Sequence, residues 1–375
     1  MEKKSKILYL LHLPPPVHGS SVVGLSIKES AIINEHFNGH YINLLASHNV
    51  AETGIVNFKK LVFFILTWIK VFVSVIRNRP NLCYLALTVT GAAFFKDLLL
   101  IIILKIFRIK RIYHLHNKGI ILHQHKFFYR LCYKFVFKNA EVILISEHLY
   151  KDIQFFVPKS KVHFCPNGIK DYIKNSNDTL PGNKLLIKKS NSTIQLLFLS
   201  NLIESKGVFI LLDACSILKR KELCFECIFI GGEGDITASR FHERVNQLCL
   251  NDIVNYQGEK FGIEKTKAYL EADIFVFPTY YETFGLVNLE AMQHSIPIIS
   301  TLEGGIPDII EDGITGFLIA PKNVEDLASK LELLIKNHDL RIQMGIAGRK
   351  KYEQQFTQQI FENRLHDIFQ QILDN

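Results

Sequence analysis

Several features that mark other protein classes are missing from this sequence of 375 residues. It contains no long polar or low-complexity stretch that would indicate a disordered chain. Every apolar run falls short of the roughly 20 clean residues that a membrane-spanning helix needs. It also has no motif in which basic and aromatic residues alternate to bind RNA or DNA, so we predict no nucleic-acid partner.

Cysteine is scarce and scattered along the chain, and its seven residues are an odd number, so they cannot all be paired. The N-terminus places only a short apolar run between its charges and three prolines, which predicts a first strand rather than a signal peptide. Reduced thiols in a cytoplasmic protein follow from these two features. Cys224 and Cys227 form a CxxC, but their apolar surroundings and the lack of a second CxxC favour a buried strand over a zinc site.

The charge is positive, +8 from 44 basic and 36 acidic residues, which suits phosphorylated substrates or an anionic membrane face, or serves solubility alone. Two segments, Leu61–Ile76 and Leu98–Ile109, are mostly apolar and flanked by basic residues. They are interpreted either as core-facing helices or as helices of which one docks on the bilayer surface. The second interpretation predicts a peripheral location at the inner membrane face.

Short, uniformly apolar strand candidates alternate with helical patterns from end to end, which indicates parallel sheets covered on both faces. We therefore predict two doubly wound α/β domains. The first covers residues 1–170 and the second 171–351, the latter beginning with a polar linker over 171–193. A final helix, about 352–375, is expected to pack back on the first domain.

One loop has the features of an anion site. A buried strand ends at Pro278, and a helix is predicted to open at Phe284 or Gly285 and to run to about His294, with Thr283 as its cap. The unpaired N–H groups at a helix start suit a pyrophosphate, and Gly285 lets the backbone approach a ligand closely.

Two carboxylates, Glu282 and Glu290, flank this helix start. Carboxylates accept hydrogen bonds from sugar hydroxyls, so Glu282 can hold a transferred sugar and Glu290 a ribose. The alternative is one helix-capping acid and one solvated acid. With Phe284, Gly285 and Leu286 between them, the two residues resemble the E-x7-E motif of retaining GT-B glycosyltransferases, family 4.

The resemblance is close from Pro278 to Ile319, where PIISTLEGGIPDIIEDGITGFLI is similar to the family's next strand and Gly-Gly loop, and loose over the rest of the chain. It implies two Rossmann-like domains facing across a cleft and a nucleotide-diphosphate sugar, UDP- or GDP-linked, as donor. Lys206 and Gly207 match the family's Lys-Gly pair, so the resemblance implies that Lys206 neutralises the diphosphate, unless it is a surface lysine. Asn201 stands where the family usually has arginine.

Two further glycine-containing loops resemble family elements. Gly232 and Glu233 lie in a loop that the family places near the nucleotide base, although such glycines also form simple tight turns. Gly19 lies in a loop that resembles the acceptor loop and is expected to meet the donor phosphate. Ser20 or Ser21 in that loop can alternatively do no more than cap the first helix.

His114 and His116 lie at the carboxyl end of a strand. By resemblance His116 is the active-site histidine that contacts the transferred sugar, and His114 is interpreted as a packed core residue. A zinc site from this pair, or from His123 and His125, lacks a clear third ligand. Asp-x-Asp, which binds a divalent ion on the diphosphate in transferases of the other major fold, does not occur, so we expect neither metal nor cofactor.

The resulting hypothesis is a retaining, metal-independent glycosyltransferase acting on a lipid-linked glycan in bacterial surface polysaccharide biosynthesis. Its predicted catalytic residues are His116, Lys206 and Glu282. Two alternatives stay open. One is a nucleotide-sugar epimerase of the same fold, for which no convincing acid/base set is present, and the other is a non-catalytic nucleotide-sugar binding protein.

Overall fold

The computed structural model describes residues 4–45, 58–173 and 193–374. The described chain forms two compact units, one within residues 1–168 and 358–375 and the other within residues 169–357. Each unit contains one six-stranded sheet in which every neighbouring pair is parallel. The predicted class of two doubly wound α/β domains is therefore confirmed. Most of the predicted linker lies outside the described residues.

The first unit builds its sheet in the order β2-β1-β3-β4-β5-β6. Its strands are β1 Lys6–Leu11, β2 Asn38–Asn43, β3 Leu82–Leu87, β4 Lys110–Leu115, β5 Glu141–Leu144 and β6 Val162–Phe164. Its helices up to this point are α1 Gly19–Glu29, α2 Ala31–His36, α3 Phe58–Asn78, α4 Gly91–Ile106, α5 Ile120–His123, α6 Phe127–Phe137 and α7 Tyr150–Ile153. Every residue of β3 is buried, as expected of a central strand covered on both faces.

The second unit has the strand order β12-β11-β10-β7-β8-β9. Its strands are β7 Ile194–Leu199, β8 Phe225–Ile230, β9 Val254–Tyr256, β10 Ile274–Phe277, β11 Ile298–Thr301 and β12 Gly316–Ile319. Its helices are α8 Val208–Arg220, α9 Ala238–Gln247, α10 Gly262–Glu271, α11 Leu286–Gln293, α12 Ile306–Ile309, α13 Val324–Lys336 and α14 His338–Gln355. Because β7 and β10 are parallel neighbours, the loops that follow them leave the sheet side by side.

The chain ends in α15, Gln358–Asp374, which belongs to the first unit. Phe369 lies 5.9 Å from the ring of Tyr9 and 5.7 Å from that of Tyr84, within the core formed by β1 and β3. The helical pattern predicted from about residue 352 is not one helix, because α14 ends at Gln355 and α15 begins at Gln358. Between them the backbone carbonyl of Phe356 accepts a hydrogen bond from the Ile169 amide, which takes the chain out of the helix.

The two apolar segments differ in their surroundings. Leu98–Ile109 contributes four buried residues of α4 to the core, Leu100, Ile101, Ile103 and Leu104. Leu61–Ile76 lies within α3, whose large apolar side chains are mostly exposed. No helix in the described ranges combines the length and the apolar character needed to cross a membrane. Of the two cysteines of the CxxC sequence, Cys227 is buried within β8, as predicted, whereas Cys224 precedes that strand and is exposed.

Candidate functional site

The loops after β7 and β10 of the second unit are joined through their backbones. After β7 a 3-10 turn, Glu204–Lys206, is followed by Gly207 at φ 87°. A side chain at Gly207 would place its Cβ 2.2 Å from the carbonyl oxygen of Pro278. The amide of Tyr280 donates to the carbonyl of Ser205 at 2.9 Å. These contacts bring Lys206 to the segment that follows β10.

Lys206 and Glu282 form a direct ion pair at the head of this loop pair. The Lys206 Nζ lies 2.7 Å from Glu282 Oε2, with both side chains largely buried. The other carboxylate oxygen, Oε1, accepts hydrogen bonds from the amides of Thr283 at 2.8 Å and Phe284 at 3.3 Å. An ammonium and two backbone N–H groups therefore converge on one negative charge. We call these three donors the cationic cradle.

The helix start differs from the prediction. α11 begins at Leu286, with Gly285 before it in the left-handed region at φ 82°, and it ends at Gln293. Thr283 is not its N-cap, because the helix begins later and Gly285 occupies the cap position. Gly285 is also required by packing, since a Cβ there would lie 2.7 Å from Asn288 Nδ2. Asn288 is fully buried, and its amide group has no hydrogen-bond partner in the described part of the chain.

The Gly-Gly loop after β11 packs against the backbone of the cradle, at Glu282 and Thr283. Gly304 adopts φ 56°, and a Cβ on it would lie 2.3 Å from the carbonyl oxygen of Glu282. The amide of Gly305 donates to the carbonyl of Thr283 at 2.8 Å. The neighbouring loop therefore holds the backbone of the cradle. It can approach this closely only because position 304 is glycine, which has no Cβ.

Glu290 has two partners that the sequence did not reveal. Lys265 on α10 lies 2.7 Å from Glu290 Oε1, and the Tyr269 hydroxyl donates to Oε2 at 2.8 Å. Burial, followed by the charge of Glu290, raises the pKa of Tyr269 well above its usual value, so this tyrosine keeps its proton and acts as a donor. Glu290 is thus neither a solvated acid nor a free one.

Asn201 connects the loop after β7 to the glycine loop after β8. Its Oδ1 accepts a hydrogen bond from the Gly232 amide at 3.2 Å, and the Leu202 amide donates to the Gly232 carbonyl at 2.8 Å. Gly231, at φ 152°, lies so close to the chain that a Cβ would be 1.9 Å from the Ser200 carbonyl oxygen. Glu233 is exposed at the tip of the same loop.

In the first unit, the predicted residues lie after β1 and β4. Gly19 is the first residue of α1 and is exposed. His18 and Ser21 form the capping box of this helix, so Ser21 takes part in the cap. The Ser20 hydroxyl lies between the Nδ1 atoms of two histidines, 3.1 Å from His12 and 3.2 Å from His18.

The two histidines of β4 and its exit have different environments. His114 is fully buried, with its Nδ1 2.6 Å from the Tyr84 hydroxyl, whereas His116 is mostly buried and keeps only part of its surface exposed. Burial lowers the pKa of His116 to about 3, with the charge of His18 adding to the effect, so its imidazole is neutral at pH 7.

Asp152, which sequence reasoning missed, fixes the loop after β4 by accepting three amide hydrogen bonds, from Gly119, Ile120 and Ile121. Within residues 4–45, 58–173 and 193–374, no cluster of three His, Cys, Asp or Glu side chains is arranged to hold a metal ion.

Solved structures share this architecture. The chain is similar to a glycosyltransferase from Rickettsia africae, with a TM-score of 0.76 and 20% identity over the whole of both chains. It is also similar to Anabaena HepE, solved in complex with UDP and glucose, with a TM-score of 0.72 and 18% identity over 98% of this chain and 99% of the other. Together with the two parallel sheets, these likenesses define a GT-B fold.

Sequence comparison agrees with this fold. Residues 185–351 match the model of the family described as glycosyl transferases group 1. A capsular polysaccharide biosynthesis glycosyltransferase from Staphylococcus aureus is 27% identical over 64% of this chain. An amylovoran biosynthesis glycosyltransferase from Erwinia amylovora is 29% identical over 72% of it. The matches span 63% and 66% of these relatives, slightly under two thirds of each.

Proposed function

We propose that this protein is a retaining, metal-independent glycosyltransferase that moves a sugar from a UDP- or GDP-sugar to a hydroxyl of a lipid-linked glycan, in bacterial surface polysaccharide biosynthesis. The observation that carries the proposal is the cationic cradle. One ammonium, from Lys206, and two backbone N–H groups already bind an anion, the Glu282 carboxylate. A donor diphosphate needs the same kind of donors.

In this proposal the diphosphate takes over the cradle from Glu282. Because the carboxylate is then released from Lys206, it becomes free to accept hydrogen bonds from the hydroxyls of the transferred sugar. We assign Glu290, which Lys265 and Tyr269 hold in place, to the ribose, from whose hydroxyls its carboxylate accepts a hydrogen bond. Gly232, Glu233 and Asn201 contribute the loop that receives the nucleotide, with Asn201 acting through the Gly232 amide.

The chemical step breaks the bond between the anomeric carbon and the diphosphate oxygen, and forms a bond from the acceptor oxygen to the same carbon. Negative charge grows on the diphosphate, where Lys206 and the amides of the cradle stabilise it. The acceptor proton passes to a departing phosphate oxygen on the same face of the sugar, which gives retention. In the first unit we assign Gly19 to the donor phosphate and the neutral His116 to the transferred sugar, as the family resemblance implies.

The choice of substrates is supported by relatives. Two similar proteins are named for capsular polysaccharide and amylovoran biosynthesis, which favours a polysaccharide pathway. HepE was solved with UDP, which favours a uridine nucleotide in this fold. A lipid-linked acceptor agrees with the apolar, basic helices of the first unit and places the protein at the inner face of the membrane.

The test is sugar transfer from radiolabelled nucleotide sugars to acceptors in extracted membranes, with and without EDTA. Lys206→Ala and Glu282→Ala should each lower turnover by at least about a hundredfold, the usual scale for losing one stabilising donor, while both variants stay folded. A matched control is the exposed ion pair of the same unit, Lys221 with Glu332, whose Nζ and Oε2 lie 2.6 Å apart. Lys221→Ala and Glu332→Gln should transfer sugar at the normal rate.

Further arms of the assay separate the alternatives. Incubation of the donor alone should leave its sugar unchanged, whereas an epimerase would alter it. Release of nucleotide without acceptor-dependent product would indicate a binding protein or a hydrolase. Normal transfer by both the Lys206 and Glu282 variants would contradict the site assignment, and loss of transfer in EDTA would contradict metal independence.

A further inference from the structure

Helix α3 buries small and polar side chains and exposes its large apolar ones, the reverse of what a core helix does. Its buried residues are Thr67, Val71, Ser74 and Val75, which include two hydroxyl side chains and no large apolar one. Its large apolar residues face outwards, with Trp68 38%, Ile65 48% and Leu66 51% exposed. Helices of globular proteins normally turn their large apolar side chains inwards. The described residues of the unit thus leave this outer side of α3 uncovered.

The apolar surface continues from α3 onto α4, which packs beside it, and from α4 onto α6. The ring of Phe72 on α3 lies 5.8 Å from Phe107, immediately after α4. On the other side of α4, Phe95 lies 5.7 Å from Phe128 on α6. α6 itself exposes Phe127 by 83% and Phe128 by 59%. We refer to the outward side of α3, α4 and α6 as the α3–α6 face.

The charge of this face has one sign. α3 and α6 contain no acidic residue, and the one acidic residue of α4, Asp97, is fully buried. Lys70 and Arg77, one heptad apart on α3, line a groove of about 580 Å³ between that helix and β2. Both side chains are exposed, and in the described part of the chain neither forms an ion pair. Arg130 and Lys134 add positive charge on α6.

We infer that the α3–α6 face is the surface by which this protein docks on an anionic bilayer, with its helices lying in the plane of the membrane. A helix with apolar side chains outwards and lysine or arginine beside them binds by burying the former and attracting anionic head groups with the latter. A second copy of the chain is a poorer partner. A two-fold dimer through this face would bring the same uncompensated positive charges together.

The sole tryptophan of the chain tests this directly, because it is Trp68 on the α3–α6 face. With vesicles of equimolar phosphatidylcholine and phosphatidylglycerol, the emission of Trp68 should shift to the blue, and brominated lipid should quench it. Vesicles of phosphatidylcholine alone should give a much weaker effect. Because the measurement uses the unmodified protein without donor, its outcome is independent of the proposed transfer reaction.

Vesicle flotation of variants gives the magnitude. Each lysine or arginine near an anionic surface contributes about 1 kcal/mol, so Lys70→Gln with Arg77→Gln should weaken partitioning roughly 30-fold. Ile65→Ser with Ile69→Ser should also release the protein from vesicles. Matched controls on the second unit are Lys350→Gln for charge and Leu333→Ser with Ile346→Ser for exposed apolar residues, and both should float as the wild type does.

Three results would overturn the inference. The first is the absence of binding to anionic vesicles. The second is binding without quenching of Trp68 by brominated lipid, which would place the contact elsewhere. The third is a dimer in sedimentation experiments without lipid that the Ile65 and Ile69 replacements dissociate, since the face would then be covered by another copy of the chain.

Discussion

Replacing Glu282 by glutamine should improve nucleotide binding while it abolishes sugar transfer. In the structure the carboxylate is bound to Lys206, which the proposed function assigns to the donor diphosphate, so in that proposal an incoming nucleotide first displaces the carboxylate. Glutamine has nearly the same shape, and its carbonyl oxygen can still accept the Thr283 amide. It carries no charge, however, and therefore competes poorly for the ammonium.

The size of the effect follows from the strength of that ion pair. Unit charges about 4 Å apart attract by about 4 kcal/mol at an effective dielectric of 20. After desolvation, a hydrogen bond between charged groups contributes a net of about 1.5–3 kcal/mol. Because glutamine retains part of the hydrogen bonding, we take the lower limit, about 1.5 kcal/mol, as the displacement cost that is removed. UDP or GDP should then bind about tenfold more tightly.

Isothermal titration calorimetry with UDP and GDP measures this change. Lys206→Ala should show the opposite sign, with binding weakened about tenfold or more because the cation itself is lost. Glu332→Gln, which removes a carboxylate from the exposed ion pair with Lys221, should leave the affinity unchanged. Equal or weaker nucleotide binding by a folded Glu282→Gln protein would show that this carboxylate does not occupy the anion site.

Two further predictions concern stability. In Gly313→Ala the only source of strain is the left-handed φ of 77°, because no atom lies within 4 Å of the new Cβ. The variant should lower the free energy of unfolding in urea by about 1–2 kcal/mol. Gly304→Ala also meets the Glu282 carbonyl at 2.3 Å and should cost about 2 kcal/mol more. Burial lowers the pKa of His116 to about 3, below the unfolded value near 6.5, so only the unfolded chain binds this proton between those pH values. The free energy of unfolding should therefore fall with decreasing pH in this window. His116→Gln should reduce the slope of that free energy against pH by at most about 1.4 kcal/mol per pH unit, as measured by thermal unfolding. An unchanged slope would contradict a lowered pKa for His116.

Much of the fold was accessible from local patterns. Uniformly apolar strands such as β3 and β10 indicated parallel sheets, because a strand covered on both faces has no polar side. The end of β10, predicted at Pro278 and found one residue earlier at Phe277, and the Gly-Gly loop at Gly304 were likewise evident from short segments. These signals are local, since each depends on a strand, a turn or a positive φ within a few residues.

The partners of the site residues were not accessible in this way. Lys206 and Glu282 are 76 residues apart, and Lys265 and Glu290 are 25 apart. Nothing in either segment specifies the other partner. The helix start was also misplaced, because Thr283 is a good cap by residue type, yet Gly285 takes the cap position in the structure. The exposure of α3 was similarly open, since its apolar period fits either a core or a surface.

The amino-acid sequence alone determined that this protein has two doubly wound domains and which loops carry glycines, carboxylates and a lysine suited to a diphosphate sugar. The tertiary structure decided that the lysine and one carboxylate hold each other, and that α3 turns its large apolar side chains outwards. The physical reason is that hydrophobic periodicity and backbone conformation are encoded over a few residues. Pairing between charges, and the side of a helix that becomes buried, depend instead on which strands the sheet brings next to one another.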